Sequence, residues 1–590
     1  MTTAAAFPAI SISEAYARLT GPGSPFEIEQ REISGVRLRV WKNAPPTLRE
    51  AFTAGRAFGG KTFLVHGEDR VSFEGFARAA LNVASVLRDL GVGKGDRVAI
   101  AMRNLPEWPV AFFGAVLVGA IAVPLNAWGT GPELEYGLTD SGAKVAFLDR
   151  ERLERLFEHL HACPALVRVL VCREGEEVAH PLVGKLEDLI GEPNGWTDLP
   201  DRAFPEVDLA PEDDATLFYT SGTTGKSKGA LGTHRNSCTT IMARPFAVAF
   251  AHLRRGEALP APDPDAPQKS VLLSVPFFHT TGCQAVLIPS LVYGVKVVTM
   301  RKWDPELALR LIEQERITSA GGVPTIAWQL IEHPRVGEYD LSSLEGLSYG
   351  GAPAPGELVR RIKQRFPKSS TGTAWGMTET SATFTHHVAE DYELRPDSCG
   401  LALPVCEIRI VGEDGRDMGV GETGELWVRG PNVVKGYWRK PDATKQTFVD
   451  GWLRTGDIGK LDEEGFCTLV DRAKDMLIRG GENIYCIEVE NALYEHPAVV
   501  DAAVVGIAHR TLGEEPAAVV TLKPGAHADE AELRAFVAER LAAFKVPVKI
   551  VFCREILPRN PNGKILKSEL RALFAPTGTL ARSDRSDSAQ

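Results

Sequence analysis

The first half of the chain alternates short apolar stretches of strand type with longer stretches of helix type. Arg97–Met102, Lys144–Leu148 and Leu166–Cys172 have the length and composition of buried strands, and Trp108–Ala122 has the length of a helix. Strands separated by helices pair in parallel, because a parallel connection needs a long crossover. We therefore expect an α/β fold with parallel-type sheets covered by helices. The sequence has no repeat of fixed period, which excludes solenoids and propellers.

Size and composition are those of an ordinary globular protein. The 590 residues correspond to roughly four structural units, and a hydrophobic fraction of 44% argues against general disorder. The net charge is −11, whereas sequence-independent binding of nucleic acid needs a basic face. We therefore expect no nucleic-acid partner.

Cysteine usage and the N-terminal residues predict a cytoplasmic protein. The nine cysteines form no CxxC pair and no zinc-finger spacing, which is typical of reduced thiols. The N-terminal residues lack the basic and apolar regions of a signal peptide. The longest apolar run, Val110–Leu125, is shorter than the roughly 20 residues of a membrane span, so we expect a buried core helix there and no transmembrane segment. Peripheral contact with a membrane stays open.

The sequence pattern changes twice in the second half of the chain. Between about 399 and 470, alternating runs such as Glu407–Val411 and Gly424–Gly430 are separated by glycine-rich turns, which predicts an antiparallel sheet or small barrel. A smaller unit follows, with strands predicted at Val499–Ile507, Ala517–Leu522 and Lys549–Ile556 and an amphipathic helix predicted at Asp529–Ala543. Earlier in the chain, Phe250–Ser270 contains the run APDPDAPQ and is predicted to be an exposed loop. The tail at 575–590 is predicted to be disordered.

The strongest local signal is the segment Ala215–Gly229, ATLFYTSGTTGKSKG. An apolar strand runs into a loop of glycines, hydroxyls and lysines, and backbone amides and hydroxyls in such a loop can donate to phosphate oxygens. Taken alone, the loop could also be a polar turn. It does not match the P-loop of nucleoside triphosphatases, because Gly222 and Gly225 are separated by two residues rather than four.

The segment TSGTTGKSKG resembles the phosphate loop of the AMP-forming adenylating enzymes, with Ser227 where that loop commonly has proline. This superfamily comprises acyl-CoA synthetases, adenylation domains of nonribosomal peptide synthesis and firefly-type luciferases. Five further blocks match in the family's order, at Tyr349–Ala354, Thr373–Thr380, Gly451–Gly459, Asp471–Ile484 and Leu557–Lys567. The resemblance covers about residues 50 to 572. It implies a large N-terminal domain at 1–473, with a β-rich subdomain at 399–470, and a small mobile α+β C-terminal domain at 474–574.

The resemblance implies an ATP site and a magnesium ion. In the family, the residue at Trp375 stacks on adenine, and those at Asp457 and Arg472 bind the ribose. Thr378 corresponds to the residue that bonds a phosphate, and Glu379 to the one that helps to hold Mg²⁺. The residues implied for ATP are Thr220, Ser221, Gly222, Thr223, Thr224, Gly225, Lys228, Gly351, Ala352, Pro353, Trp375, Asp457 and Arg472.

The resemblance also implies two half-reactions. Lys564 matches the lysine that bridges the carboxylate and the α-phosphate during formation of an acyl-adenylate, where positive charge offsets the developing negative charge. The C-terminal domain then swings about a hinge at Lys474, and the thiol of coenzyme A displaces AMP. The loop that then lies beside the pantetheine arm is implied to contain Arg479, Gly480 and Gly481. The resemblance implies no nucleophilic side chain in either half-reaction.

The segment VPFFHTTG at Val275–Gly282 is where the resemblance implies contact with the acid. We expect His279 to line the active site, without assigning it as an obligatory base; a hydrogen-bonded core histidine is the alternative. Amino-acid-activating relatives have an acidic residue just after this position, whereas this chain has Thr280. A substrate ammonium would therefore have no close counter-ion, which makes an amino acid an unfavourable substrate. The acyl pocket is expected to contain Phe278, Thr281, Gly282, Gly350, Ala374 and Gly376.

We expect an acyl-CoA synthetase for a medium- or long-chain fatty acid. An aryl-alkanoic or cyclic, steroid-type acid is the alternative substrate, and transfer to a carrier protein is the alternative second step. A regulator that binds adenylate without catalysis is disfavoured, because Lys564, Glu379 and Asp457 are all present. Lys564 also lies in a PxxxxGK pattern that resembles the acetylation site of acyl-CoA synthetases, which raises the hypothesis of a lysine acetyltransferase and deacetylase as partners.

Overall fold

The computed structural model describes residues 7–173, 175, 179–220, 226–261, 263, 265–350, 356–480, 482–560 and 564–574. The predicted tail at 575–590 lies outside these ranges. All nine cysteines lie within them and are free thiols.

The first sheet contains the strands that the sequence rhythm predicted. Arg97–Ala101 is parallel to both of its neighbours, Ile121–Pro124 and Val145–Asp149. Val98 contacts the core on one face and Ala99 the core on the other, because successive side chains of a strand point to opposite faces. Across the sheet, the strands are Gly436–Tyr437, Gly229–Thr233, Asp214–Tyr219, Ile121–Pro124, Arg97–Ala101, Val145–Asp149, Arg168–Cys172 and Val183–Lys185.

The prediction of one helix for the apolar run Val110–Leu125 is wrong. Helix Glu107–Leu117 ends inside the run, and Ile121–Pro124 is a buried strand of the first sheet. Gly119 turns the chain between them with φ of 77°, a conformation that favours glycine. Because both elements are completely buried, hydrophobicity alone does not separate them.

The second sheet has a parallel centre and antiparallel edges. Its strands are, in order, Leu401–Ala402, Thr385–Val388, Ser370–Ala374, Gly346–Gly350, Ser319–Gly322, Ser270–Leu273, Lys296–Thr299, Thr62–His66 and Asp69–Ser72. Ser270–Leu273, Ser319–Gly322, Gly346–Gly350 and Ser370–Ala374 run in the same direction. Their carboxyl ends therefore lie at one edge of the sheet.

Two helices, Phe73–Asp89 and Glu107–Leu117, form the layer between the two sheets. One hydrophobic cluster joins them to Val98 of the first sheet and to Val297 of the second. Every residue of Glu107–Leu117 is buried, which is expected for a helix that is covered on all sides. The α/β prediction is confirmed.

The β-rich part of the chain is antiparallel, as its alternating pattern predicts. Glu407–Val411 pairs with Gly424–Arg429, which pairs with Trp452–Leu461. Trp452–Leu461 also pairs with Phe448–Val449 and with Cys467–Arg472. The chain leaves this sheet after Arg472 and enters the C-terminal part.

The C-terminal part is a small α+β unit. Its sheet has the order Glu482–Ile484, Leu477–Arg479, Gly513–Leu522 and Val499–His509, and Lys549–Cys553 lies parallel to Gly513–Leu522. Helices Cys486–Tyr494 and Glu530–Ala538 pack on this sheet. The predicted α+β character of this unit is confirmed.

The remaining elements are a two-stranded ribbon, Ile28–Ile33 with Val36–Trp41, and further helices. These helices are Ile12–Thr20, Leu48–Arg56, Gly131–Ser141, Arg150–Leu156, Glu187–Ile190, His234–Ile241, Ala243–Arg254, Ile288–Val292, Pro305–Gln314, Pro324–Ile331, Gly356–Arg365, Ala389–Leu394, Pro441–Thr447 and Lys567–Arg571. A π-helical segment covers Thr281–Leu287. Within the described ranges, no helix is both long enough and apolar enough to cross a bilayer.

The predicted loop Phe250–Ser270 is partly helical. Phe250 is buried in the last turns of helix Ala243–Arg254, and the described loop residues follow that helix. At the end of the helix, Arg254 Nε and Nη2 donate to Asp391 Oδ2 and Oδ1 at 3.0 and 2.8 Å. The two residues are 1% and 3% exposed, so this ion pair is inside the protein.

We expect Arg254→Met to lower the free energy of unfolding by about 3–5 kcal/mol, because it removes both guanidinium hydrogen bonds from a buried carboxylate. Arg395 would remain as a more distant cation, 3.8 Å from Asp391 Oδ1. Urea denaturation followed by tryptophan fluorescence measures the change. The matched control is Arg316→Met, whose pair with Asp340 at 2.7 Å is more than half exposed on both sides and should contribute about 0–1 kcal/mol. Equal losses in the two variants would contradict the assignment of the Arg254 pair as a buried anchor.

Candidate active site

A large cavity of about 1570 Å³ lies where the sheets and the C-terminal part meet. The ends of the parallel strands of the second sheet contribute Gly350 and Ala374 to its wall, and Trp375, Gly376, Thr378 and Glu379 follow in the next loop. Ligands of α/β proteins commonly bind outside the carboxyl ends of the strands. The position of the cavity therefore follows from the parallel centre of the sheet.

Asp457, Arg472 and Trp375 form a hydrogen-bonded cluster in the cavity wall. Asp457 and Arg472 face each other on adjacent antiparallel strands, and Arg472 Nε lies 3.2 Å from Asp457 Oδ1. The Trp375 indole Nε1–H donates to Asp457 Oδ2 at 2.9 Å. Asp457 is only 7% exposed, so the cluster presents a fixed carboxylate, which can still accept hydrogen bonds from ligand hydroxyls.

Glu379 is a second buried carboxylate in the wall. The Tyr437 hydroxyl donates to Glu379 Oε1 at 2.7 Å. Burial raises the pKa of Glu379, and the bond from Tyr437 and the charges of Lys564 and Arg472 oppose that rise. Among the described residues, no group of three acidic, histidine or cysteine side chains could enclose a metal. A single carboxylate nevertheless fits Mg²⁺, which is commonly held by one or two carboxylates together with substrate phosphates and water.

Lys564 enters the same cavity from the C-terminal part. Its backbone N–H donates to Asn560 Oδ1 at 3.0 Å, and its carbonyl accepts from Asn560 N at 2.9 Å. Burial and the nearby Arg472 lower the pKa of the half-buried Lys564 to about 8, although Asp457 and Glu379 favour the charged form. The ammonium is therefore mostly protonated at neutral pH and loses its charge in mildly alkaline solution.

The candidate phosphate loop connects two antiparallel strands, Asp214–Tyr219 and Gly229–Thr233. Its base is closed by a bond from Thr220 N to Lys228 O at 2.8 Å, and both residues line the cavity. Lys228 Nζ lies 4.9 Å from the centre of the Tyr437 ring. The predicted ligands Ser221, Gly222, Thr223, Thr224 and Gly225 lie outside the described residues, as do Gly351, Ala352 and Pro353 near the second sheet.

His279 and Thr281 also line the cavity. The Thr281 backbone N–H donates to His279 Nδ1 at 3.3 Å, which fixes Nδ1 as an acceptor. Burial, and to a smaller extent the charge of Lys564, lowers the pKa of His279 to about 4. The imidazole is therefore neutral at physiological pH, with its proton on Nε2.

Two residues predicted for the acyl pocket are not part of the described cavity wall. Phe278 and Gly282 do not line it, whereas Thr281, Gly350, Ala374 and Gly376 do. A Cβ atom at Gly282 would lie only 2.0 Å from Pro276 O. The absence of a side chain at this position is thus required by backbone packing, and it does not widen the cavity.

The residues predicted for the hinge and for the coenzyme A loop lie in two different places. Lys474 lines the cavity, directly after the last strand of the β-rich part. Arg479 does not; its Nη2 pairs with Glu515 Oε1 at 3.0 Å within the C-terminal unit. Gly480 has φ of 61°, a turn conformation that favours glycine. Gly481 lies outside the described residues.

Sequence reasoning missed Tyr437 and Tyr136. Tyr437 holds Glu379, and the Tyr136 hydroxyl donates to Ser227 O at 2.9 Å in the candidate phosphate loop. Both partners are distant in the sequence, so neither tyrosine belongs to a local motif. No pattern in one sequence identifies such contacts.

The cavity continues from the charged cluster along the whole length of the central strands of the second sheet. One strand lines it from Lys269 to Ser274, which corresponds to about 17 Å at the usual rise of a strand. The facing wall is a helical face of the π segment and the helix after it. It contains Thr281, Ala285, Pro289 and Tyr293, which are four residues apart along the chain and therefore lie near one face. We call this elongated part the channel.

Comparisons with known proteins agree with this geometry. The sequence model of the family described as AMP-binding enzyme matches residues 51–438, and that of the AMP-binding enzyme C-terminal domain matches residues 488–564. A feruloyl-CoA synthase from Amycolatopsis sp is 36% identical over 520 residues, which are 87% of this chain and 96% of that protein. A long-chain-fatty-acid–CoA ligase from Bacillus subtilis (strain 168) is 35% identical over 551 residues, 89% of this chain and 94% of that protein.

Solved structures lead to the same family. The anthranilate CoA ligase AuaEII, in complex with anthranoyl-AMP, matches with a TM-score of 0.78 and 27% identity, over 89% of this chain and 96% of that one. The resemblance stated from the motifs is confirmed by both comparisons. The chain therefore belongs to the AMP-binding enzyme family, and within it to the AMP-forming acyl-CoA ligases, which use ATP, Mg²⁺ and coenzyme A.

Proposed function

We propose that the enzyme activates a medium- or long-chain fatty acid. The observation that carries the proposal is the channel, which begins beside His279 and runs along the strands of the second sheet. Its walls include Val271, Leu273 and Ala285, and an apolar channel of this length favours an extended chain, because burial of each methylene contributes about 0.8 kcal/mol.

We assign the charged end of the cavity to ATP. Trp375 would stack on adenine, and Asp457 and Arg472 would bind the ribose hydroxyls. Thr220, Lys228 and Thr378 would bind the phosphates. The support is that these side chains converge on one cavity from three separate parts of the fold.

We assign Mg²⁺ to Glu379, where the ion, when bound, would neutralise charge on the phosphates. Tyr437 would orient that carboxylate through its hydroxyl. This arrangement leaves the metal's other positions to phosphate oxygens and water.

Lys564 would act in the first half-reaction. An oxygen of the substrate carboxylate attacks the α-phosphorus of ATP, the bond to the bridging oxygen breaks, and pyrophosphate leaves. Both reacting groups are anionic, so alignment and charge compensation lower the barrier. The ammonium of Lys564 would lie between carboxylate and α-phosphate and would stabilise the charge as the new bond forms.

The second half-reaction would require the C-terminal part to move. The sulfur of coenzyme A attacks the carbonyl carbon of the acyl-adenylate, and AMP leaves with the bonding electron pair. In the described arrangement Lys564 lines the cavity and Arg479 does not. This supports the assignment of the described conformation to the adenylate-forming state. A swing about Lys474 would withdraw Lys564 and bring Arg479 and Gly480 to the coenzyme A entrance.

The relatives and the sequence leave two alternatives to this activity, an aryl acid as substrate and a carrier protein as acceptor, and one predicted modification. The feruloyl-CoA synthase and the anthranilate CoA ligase bear names of aromatic acids, which favours an aryl acid as the second candidate substrate. A carrier protein as thiol acceptor stays a prediction to be tested. Acetylation of Lys564 also stays a prediction; here the residue is half-buried in the cavity, so an acetyltransferase would need the C-terminal part to swing away.

We expect Lys564→Ala to slow adenylate formation by about 10²–10³-fold, because it removes one preorganised charge. Thioester formation from supplied acyl-AMP should largely survive. ATP–pyrophosphate exchange measures the first step and acyl-CoA release the second. The matched control is Lys549→Ala, an exposed lysine of the same domain. Equal losses in both half-reactions would refute the assignment.

The wild-type rate of adenylate formation should fall as the pH rises above about 8, because Lys564 then loses its proton. Lys564→Arg should remain charged over this range and should not show that decline, whatever its absolute rate. The pH profile of single-turnover adenylate formation measures both. An alkaline decline at the same pH in the arginine variant would exclude Lys564 as its cause.

We expect Trp375→Phe to raise the KM for ATP by about tenfold, because Asp457 loses a charge-assisted hydrogen bond of roughly 1.5 kcal/mol or more. Trp303→Phe is the control. Its indole also donates a hydrogen bond, to Gln329 Oε1 at 2.6 Å, but neither residue lines the described cavity. An unchanged KM in Trp375→Phe would show that the cluster does not organise the nucleotide site.

The substrate itself is tested by pyrophosphate exchange over saturated fatty acids of increasing length, ferulic acid and a steroid-type acid. Coenzyme A and a holo carrier protein are compared as acceptors in the same series. We expect the highest kcat/KM for medium or long chains, with coenzyme A as the acceptor. Preference for ferulic acid would overturn the fatty-acid assignment in favour of the aryl acid.

A further inference from the structure

Three adjacent strands of the second sheet present only small side chains to the channel. In strands Ser319–Gly322, Gly346–Gly350 and Ser370–Ala374, successive side chains point to opposite faces. Ala320 and Leu347 belong to the hydrophobic cluster on one face, so their alternating neighbours face the channel. These neighbours, which all line the cavity, are Ser319, Gly321, Gly346, Ser348, Ser370 and Gly372. We call these six residues the channel floor.

The register places the serines and glycines of the floor in alternating positions. Gly346 lies opposite Ser319 on one neighbouring strand and opposite Ser370 on the other. In the next row, Ser348 lies between the two glycines of the neighbouring strands. The rows are about 7 Å apart, the rise of two strand residues. Each serine is therefore flanked by at least one position without a side chain.

The protein does not use the three serine hydroxyls of the floor. None of these side chains makes a hydrogen bond to a residue that the structure describes. Ser348 and Ser370 are exposed in the cavity wall, whereas Leu347 and Thr371 beside them are buried. Central parallel strands are usually rich in Val, Ile and Leu. The floor therefore differs in polarity from the apolar walls on either side of it.

Backbone packing explains Gly321 but not Gly346. A Cβ atom at Gly321 would lie 1.6 Å from Ser348 O, so this position needs glycine for the fold. At Gly346, the nearest described atom to an added Cβ would be Ser370 O at 3.7 Å, which is an ordinary contact. A glycine inside a strand often marks the close approach of a ligand. Gly346 thus indicates that a ligand lies against the floor.

A buried imidazole at the border of the floor is a further polar group without a partner. His386 lies on the strand antiparallel to Ser370–Ala374, lines the cavity and is 4% exposed. The Tyr16 hydroxyl donates to Ala402 O at 2.9 Å, so we assign the His386 proton to Nε2, 2.8 Å from the same hydroxyl. Nδ1 is then an acceptor, and it makes no hydrogen bond within the described ranges.

We propose that the preferred fatty acid carries a hydroxyl or keto oxygen in the middle of its chain, bound by the serines of the channel floor. A plain alkyl chain would remove water from these hydroxyls and return no hydrogen bond. A serine hydroxyl both donates and accepts, so it suits either oxygen function. The inference rests on the proposed function, since it specifies the acid of the same site.

The position of the floor determines where the oxygen lies in the acid. Ser348 precedes Gly350 by two residues, and Ser370 precedes Ala374 by four, which is about 7 and 13 Å along the strands. Gly350 and Ala374 are at the strand ends, towards the adenylate-forming part of the cavity. An oxygen next to the reacting carboxylate would not reach the floor.

The test compares ricinoleic acid, which has a hydroxyl in mid-chain, with oleic acid, which lacks it, in ATP–pyrophosphate exchange on the full-length enzyme. The wild type should prefer ricinoleic acid by at least about fivefold in kcat/KM, as expected for one net hydrogen bond. The triple variant Ser319→Ala, Ser348→Ala and Ser370→Ala should lose this preference. It should also use oleic acid better than the wild type does, because its floor is apolar, and loss of folding cannot produce such a gain.

Ser342→Ala is the matched control, because Ser342 is exposed but does not line the described cavity; it should leave the preference unchanged. Two further substrate pairs locate the effect. α-Hydroxystearic and stearic acid differ only beside the carboxylate and should be used equally. Deoxycholic and cholanic acid form a ring-acid pair with and without hydroxyls.

Equal use of ricinoleic and oleic acid by the wild type, or a preference that the triple variant retains, overturns the inference while the fatty-acid function stands. An equal preference for α-hydroxystearic acid also overturns it, because that hydroxyl lies away from the floor. A preference confined to the ring-acid pair overturns the fatty-acid assignment together with the mid-chain oxygen. Absence of exchange with every acid overturns the proposed function itself.

Discussion

The hydrogen-bonded cluster of Asp457, Arg472 and Trp375 joins the second sheet to the β-rich sheet, close to the point where the chain enters the C-terminal part. Trp375 follows a strand of the second sheet, Asp457 and Arg472 belong to the β-rich sheet, and the chain enters the C-terminal part directly after Arg472. The indole and the guanidinium occupy different oxygens of one buried carboxylate. The position of the β-rich sheet against the second sheet, and with it the start of the C-terminal part, is therefore coupled to the shape of the nucleotide end of the cavity.

Two residues of this cluster, Asp457 and Arg472, also influence the pKa of Lys564. Arg472 disfavours a second cation nearby, whereas Asp457 and Glu379 favour it, and burial is the largest influence on the lysine. The resulting pKa of about 8 still leaves the ammonium mostly charged at neutral pH. A lysine in this condition is attracted strongly to an added anion, since its own surroundings compensate it incompletely. Binding of an anionic substrate would then strengthen the contact between the C-terminal part and the rest of the protein.

The sequence predicted the fold class well because strand and helix patterns are local. Glu407–Val411 has the predicted bounds, and the strand predicted at Arg97–Met102 is Arg97–Ala101. Prediction failed where tertiary burial removes the periodic signal, as in Val110–Leu125, where a helix and a strand are equally apolar. It also failed for Phe250, which is the buried end of a helix although the following residues are irregular.

For the site, the motifs found the residues that converge on the cavity from distant parts of the sequence, such as Lys228, Glu379 and Lys564. They did not find Tyr437, because a tyrosine that orients a carboxylate 58 positions away has no local signature. Gly282 shows the opposite error: its backbone packs against Pro276, so the small residue reflects a structural need rather than room for substrate. Residue type alone does not distinguish these two reasons for a glycine.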